Sequence, residues 1–266
     1  MKTSLNPFVR SFASLATALL VLAAPAAVHA QAPKIFVASY GNDANVGTPV
    51  SPKRAFQAAH NAVAAGGQIV ALDTAGYGAL TITKSVSVIV PPGVTGFVTV
   101  SGSSNGITIN AATTDEVSLR GLIIENSNAS GNPFGIDSNS VGTLTVEDCG
   151  VRNFFRGINF NQTNAGRLQV HGGHVRQNSY GIVVLPAAVV ALDAIVTDCL
   201  VENNGTGLYA FAGNGGSARL TAGECTISGN STGMLSGGGG QIISFGNNSF
   251  AYNGSNGAFS STTPVF

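Results

Sequence analysis

The chain contains no tryptophan, and only 9% of its 266 residues are charged, 12 Lys and Arg against 12 Asp and Glu. Lysine disappears altogether beyond Lys84. With no basic patch, the electrostatic footprint that nucleic acid demands is missing, and nucleic acid is not an expected partner. Cysteine is limited to Cys149, Cys199 and Cys225, an odd number that cannot pair completely within one chain. After Ala30, Gly, Asn and Ser interrupt every apolar stretch, so no membrane span is expected in the remainder.

The start of the chain differs. Lys2 and Arg10 precede an almost unbroken apolar run from Phe12 to Ala27, and Val28-His29-Ala30 reads as a small-residue cleavage site. This is the pattern of a secretory signal peptide over residues 1–30. The run is too short, and too soon broken by Pro25, for a retained anchor. The mature chain is therefore expected to be secreted or periplasmic, with ten basic against twelve acidic residues.

What the sequence has in abundance is glycine, 35 residues, set among regularly recurring apolar ones. Gly followed by an apolar residue returns at Gly106, Gly135, Gly157, Gly181, Gly207, Gly233 and Gly257. An Asn lies shortly before most of these: Asn153, Asn178, Asn203, Asn230 and Asn253. Upstream of each Asn stands a short alternating stretch such as Leu144-Thr145-Val146 or Leu168-Gln169-Val170. Strands this short cannot bury a face alone and must stack on their neighbours. A leucine-rich repeat would need a signature that is absent, and a propeller blade would need a longer period, about 40 residues. The reading is an all-β right-handed parallel β-helix, a solenoid of about seven rungs with a short N-terminal capping helix. Asn in this setting suits both a left-handed turn residue and a stacked amide.

Residues 31–92 are read as an N-terminal cap and first coil, and residues 93–266 as rungs with a C-terminal cap. In the cap, Ser51-Pro52 predicts a helix start, Phe56, Ala59 and Val63 its apolar side, and Gly66-Gly67 its end. The stretch Phe36-Val-Ala-Ser-Tyr-Gly-Asn-Asp-Ala-Asn-Val-Gly-Thr48, then Pro52, then Gly66-Gly-Gln-Ile-Val70, resembles the first segment of the pectin-lyase-like right-handed β-helix superfamily. That resemblance implies the fold over nearly the whole mature chain. It implies no single activity, because the superfamily holds lyases, hydrolases, epimerases and adhesins.

Aligning rungs on Val151, Val175, Val201 and Ile227 turns the sequence into columns. One reads Cys149, Gly173, Cys199, Cys225, which predicts either an inward stack of small thiols or a Cys199–Cys225 disulfide between adjacent rungs. Others place opposite charges side by side at Glu125–Arg152, Arg176–Glu202 and Arg120–Glu147, a stabilising ladder. A fourth reads Asp148, Gly172, Asp198, Glu224, with His171 beside it. Like charges at Asp198 and Glu224 suggest a Ca²⁺ site or an acid–base pair, or simply turn carboxylates pointing into water. Asp137 and Asn159 follow the marker glycine on consecutive rungs and read as outward surface filling. Three functions follow from these readings. The first is an extended surface for a glycan or cell-envelope partner, without catalysis. The second is a lyase or hydrolase on acidic polysaccharide, with Asp148, His171, Asp198 and Glu224 in one groove. The third is a purely structural or adhesive solenoid.

Overall fold

The computed structural model describes residues 32–263; the predicted leader, residues 1–30, lies outside them. Among the described residues no helix is long and apolar enough to cross a membrane. The chain winds through three parallel sheets of ten, eight and seven strands. One turn of the coil is typified by Thr143–Glu147 in the first sheet, Gly150–Arg152 in the second and Arg156–Phe160 in the third. Each strand pairs with its counterpart one rung away, so that Val146 meets Val170, Val151 meets Val175 and Ile158 meets Ile182. Alternation within each strand sends these residues inward, where they are almost wholly buried.

The repeated glycine is explained by close approach. A Cβ on Gly157 would lie 2.8 Å from the carbonyl oxygen of Gly181, and one on Gly181 would lie 2.4 Å from that of Gly207. The column of glycines thus lets successive rungs turn the same corner without a side chain between them.

From the rung of Val146 onward two corners keep one spacing, whereas earlier rungs hold longer ones, Val88 to Val98 at the first corner and Ile124 to Ile136 at the second. Between the first and second sheets the inward residues run Val146 to Val151, Val170 to Val175, Val196 to Val201 and Ala222 to Ile227. Between the second and third they run Val151 to Ile158, Val175 to Ile182, Val201 to Leu208 and Ile227 to Met234. The third corner varies: Ile158 to Leu168, Ile182 to Ala194, Leu208 to Leu220 and Met234 to Ile242. In the rungs from Val146 onward the irregularity is confined there.

The cap differs from expectation in detail. The helix is Phe56–Ala62 and carries no side-chain N-cap. Ser51 and Pro52 lie upstream of it in the loop, and Asp43 Oδ1 instead accepts the N–H groups of Arg54 and Ala55 at 2.9 Å each. Gly66 and Gly67 do not end the helix. Val63 turns extended and starts the strand Val63–Ala71, which contains both glycines. A strand not foreseen, Ala32–Val37, pairs with it and takes the outer edge of the first sheet. Phe56, Ala59 and Val63 are buried as expected, together with His60.

Candidate functional site

The carboxylate column is a turn. Asp148, Asp198 and Glu224 have φ of 53°, 52° and 56°, and Gly121 and Gly172 in the same column have 74° and 65°. This left-handed position is forced by the tight corner between the first and second sheets, and Gly, Asp and Asn tolerate it best. The side chains stand exposed. Asp148 lies 3.8 Å from Arg120, and Asn247 Nδ2 reaches Glu224 at 3.5 Å. His171 Nδ1 shares a hydrogen bond with Thr197 Oγ1 at 3.1 Å. Among the described residues no three His, Cys, Asp or Glu side chains gather to hold a metal. Asp198 and Glu224 stand side by side on neighbouring rungs of this corner, outside any such group.

The thiols sit inward. Cys149, Cys199 and Cys225 are free and buried; Cys199 Sγ donates to the Thr197 carbonyl at 3.1 Å, and Cys225 Sγ to those of Gly223 and Val196 at 3.3 and 3.4 Å. The neighbouring Cys225 thiol and burial push the Cys199 thiol up, and burial pushes Cys149 up to about 12. The charge ladder is present: Arg152 pairs with Glu125, Arg120 with Glu147 at 3.7 Å and Arg176 with Glu202 at 4.0 Å. The Arg152 guanidinium keeps the Glu125 carboxyl below its ordinary value.

The recurrent Asn divides into two neighbouring columns. Asn153 and Asn203 are left-handed turn residues with φ of 64° and 54°. The ladder belongs to Asn178, Asn204, Asn230 and Asn253, one position further along. Asn204 Oδ1 accepts the backbone N–H and the amide of Asn178 at 3.0 and 3.1 Å, and Asn230 Oδ1 accepts from Asn204 in the same way at 2.9 and 3.0 Å. Each Nδ2 also reaches a strand carbonyl, that of Asn204 bonding Val175 at 3.0 Å. This buried ladder fixes the corner that leads into the third sheet.

The outer face of that sheet is where side chains of different columns meet. Phe134 and Phe155 have ring centroids 6.4 Å apart, Phe155 and Tyr180 5.5 Å, Tyr180 and Tyr209 5.6 Å, and Tyr209 and Phe211 6.1 Å. Five half-exposed rings thus form an unbroken series over four rungs. They cover Val183, which points outward yet is fully buried. Beside Phe155 and Tyr180 runs an open groove of about 1170 Å³, edged by the amides of Asn153, Gln177 and Asn203.

At one end the series meets a polar cluster. Arg156 lies over the Phe134 and Phe155 rings at 5.5 and 5.6 Å. Its Nη1 donates to Asn159 Oδ1 at 2.8 Å, and Asn159 Nδ2 donates to Asp137 Oδ1 at 2.8 Å. Asn105 Nδ2 donates to the other carboxylate oxygen at 3.0 Å, and its Oδ1 accepts the Phe134 N–H at 2.9 Å. Asp137 and Asn159 are only 6% and 3% exposed. They are not the surface filling that alternation implied, because Arg156 and the rings lie down over their column. Burial raises the Asp137 carboxyl above its ordinary range and lowers Arg156 below its own. The sequence carried a partial signal for this site: Tyr180 and Tyr209 stand out in the central rungs, but 14 Phe were available to join them.

Comparison with known proteins now bears on the fold. The chain is similar to the GH136 lacto-N-biosidase from Eubacterium ramulus, with 10% identity over 83% of this chain and 56% of that one, at a TM-score of 0.57. It thus spans little more than half of that protein's length. Pectate lyase Pel9A (16% identity, 86% and 79% covered, TM-score 0.39) and a rhamnogalacturonan lyase (12%, 83% and 68%, 0.40) also align. The chain is a right-handed parallel β-helix. At these identities the likeness is one of fold and carries no activity with it. No protein-family model matches this β-helix, and no curated protein matches it by sequence.

Proposed function

We propose that this β-helix binds a glycan along the outer face of its third sheet, without catalysis, at or outside the cell envelope. The observation that carries the reading is the five-ring series. Sugar rings present flat C–H faces that stack on exposed aromatic rings, while Tyr hydroxyls and amides meet sugar hydroxyls. Rungs repeat about every 4.8 Å, a spacing comparable to a sugar unit in a chain, so successive rings can meet successive sugars. The similarity to carbohydrate-active β-helices agrees with a glycan partner.

Hydrolysis by paired carboxyl groups needs a second one about 5–9.5 Å from the first. The groups that set the state of Asp137 are Asn159, Asn139, Asn105 and Arg156, none of them a carboxylate. Asp148, Asp198 and Glu224 stand at a different corner of the coil. The single buried acid therefore fits hydrogen bonding better than turnover. The test is a polysaccharide panel read for binding and for new reducing or unsaturated ends together. Binding without new ends, weakened about tenfold or more in Tyr209→Ala (about 1.4 kcal/mol), is the expected result. Production of new ends, or binding indifferent to the loss of both Tyr180 and Tyr209, would sink the proposal.

A further inference from the structure

The charged residues of the β-helix are unevenly distributed among its faces. The first-sheet strands carry Glu116, Arg120, Glu147, Arg167, Asp193 and Arg219, and the second-sheet strands carry the Glu125–Arg152 and Arg176–Glu202 pairs. Across the seven strands of the third sheet, Asp137 and Arg156 are the sole Asp, Glu, Lys or Arg residues. They have opposite sign and are joined through Asn159.

We infer that the glycan received by this face is uncharged. The inference rests on the glycan reading above and narrows it to a ligand class. A polyanionic chain presents a negative charge every sugar or two, which along this solenoid means every rung or two. Holding it requires cations that recur down the face, as the other faces show this chain can supply. Here there is one, balanced by a carboxylate three positions away in the next rung.

Arg156 is also turned away from the role of an anion receptor. Carboxylates and sulfates are held best by a guanidinium that offers one edge as a fork. One edge of Arg156 is engaged through Nη1 with Asn159, and the Nε of the other is buried without a partner. Its plane instead steadies Phe134 and Phe155. The groups left facing solvent suit hydroxyls: the half-exposed rings of Tyr180 and Tyr209, and the amides of Asn110 and Asn139, linked at 3.1 Å.

The experiment uses matched probes: polygalacturonate against its methyl ester, and a galactan against its sulfated form, each at about 0.05 M and about 0.5 M salt. The uncharged member of at least one pair is expected to bind about tenfold tighter or more, with little change over that salt range. A charged member binding as well or better, and weakening with salt, overturns the inference, and the two pairs separate carboxylate from sulfate. Asp137→Asn keeps the shape and removes the balancing charge. It should raise affinity for the charged member several-fold, with a lowered thermal transition, because the new Nδ2 faces an amide Nδ2 of Asn159 or Asn105 that the carboxylate accepted. Tyr209→Ala separates the two proposals. If it leaves binding intact, or if no probe binds the wild type, the glycan reading falls and this inference with it. If Tyr209→Ala abolishes binding but charge makes no difference, the inference alone falls.

Discussion

Two corners of the same coil solve the same geometric problem by opposite means. At the first, between the first and second sheets, the chain turns through a left-handed residue whose side chain stands in water: Asp148, Gly172, Asp198 or Glu224. At the second, leading to the third sheet, an equivalent left-handed residue is followed by an Asn whose amide is buried and bonded to the rung above and the rung below. The first corner asks only for a backbone conformation, so the residue types vary. The second asks for a conformation and a set of hydrogen bonds, so Asn recurs. Periodicity in a sequence reports both alike, and burial separates requirement from tolerance.

The largest effect that would sharpen this contrast is at Asn204. Replacing it with Ala removes the acceptor for Asn178 and the donor to Val175, leaving several buried groups unpaired at about 1–3 kcal/mol each. A loss of about 3 kcal/mol or more is expected in denaturant unfolding, against almost none for Asp198→Gly. Equal costs at the two sites would erase the distinction.

The same rule separates buried His60 from exposed His171. His60 Nε2 accepts the Thr83 N–H at 3.2 Å, which leaves the proton on Nδ1, itself buried without a partner. Burial, with Lys84 nearby, pulls His60 from 6.5 down to about 4. A depressed folded value means the unfolded chain takes the proton first. Stability from this residue is complete above about pH 6.5 and drains away as pH falls towards 4, by on the order of 3 kcal/mol. His60→Gln should flatten that part of the pH–stability curve. A smaller effect is expected on the aromatic face, where Tyr180→Ala should weaken glycan binding about tenfold (about 1.4 kcal/mol) while changing the unfolding midpoint little. The smallest is at the first corner. Glu224→Asn should raise stability by about 0.5–1 kcal/mol, because Asn accepts the left-handed backbone more readily than Glu. Gly172→Ala should lower it, since the φ of 65° there strains an L side chain.

The rungs were legible in the sequence because their inward residues alternate and repeat: the columns through Val151, Glu125 and Arg120 pair in the structure rung for rung. The αL corner was not distinguished from a charged cluster, because a carboxylate tolerated by a turn and one chosen for chemistry are the same letter. The aromatic series stayed hidden for a geometric reason. Phe134 and Tyr180 share a column, Tyr209 belongs to another, and Phe155 lies in a turn. Its continuity is diagonal and exists only once the strands are stacked. The burial of Asp137 follows from those rings and could not be read without them.

The corner of variable length, between the third and first sheets, has an engineering consequence. Extra residues there lengthen a surface excursion without shifting the register of any rung, because every hydrogen-bonded column resumes downstream. An epitope or a small domain spliced between Gly213 and Gly216 should therefore be carried beside the aromatic face with the core unaltered. In the rungs from Val146 onward the first and second corners carry the left-handed turn and the buried Asn ladder, so the same splice there would cost those local bonds. The third corner is thus the least costly edge of these rungs to remodel, and it borders the surface on which recognition would act.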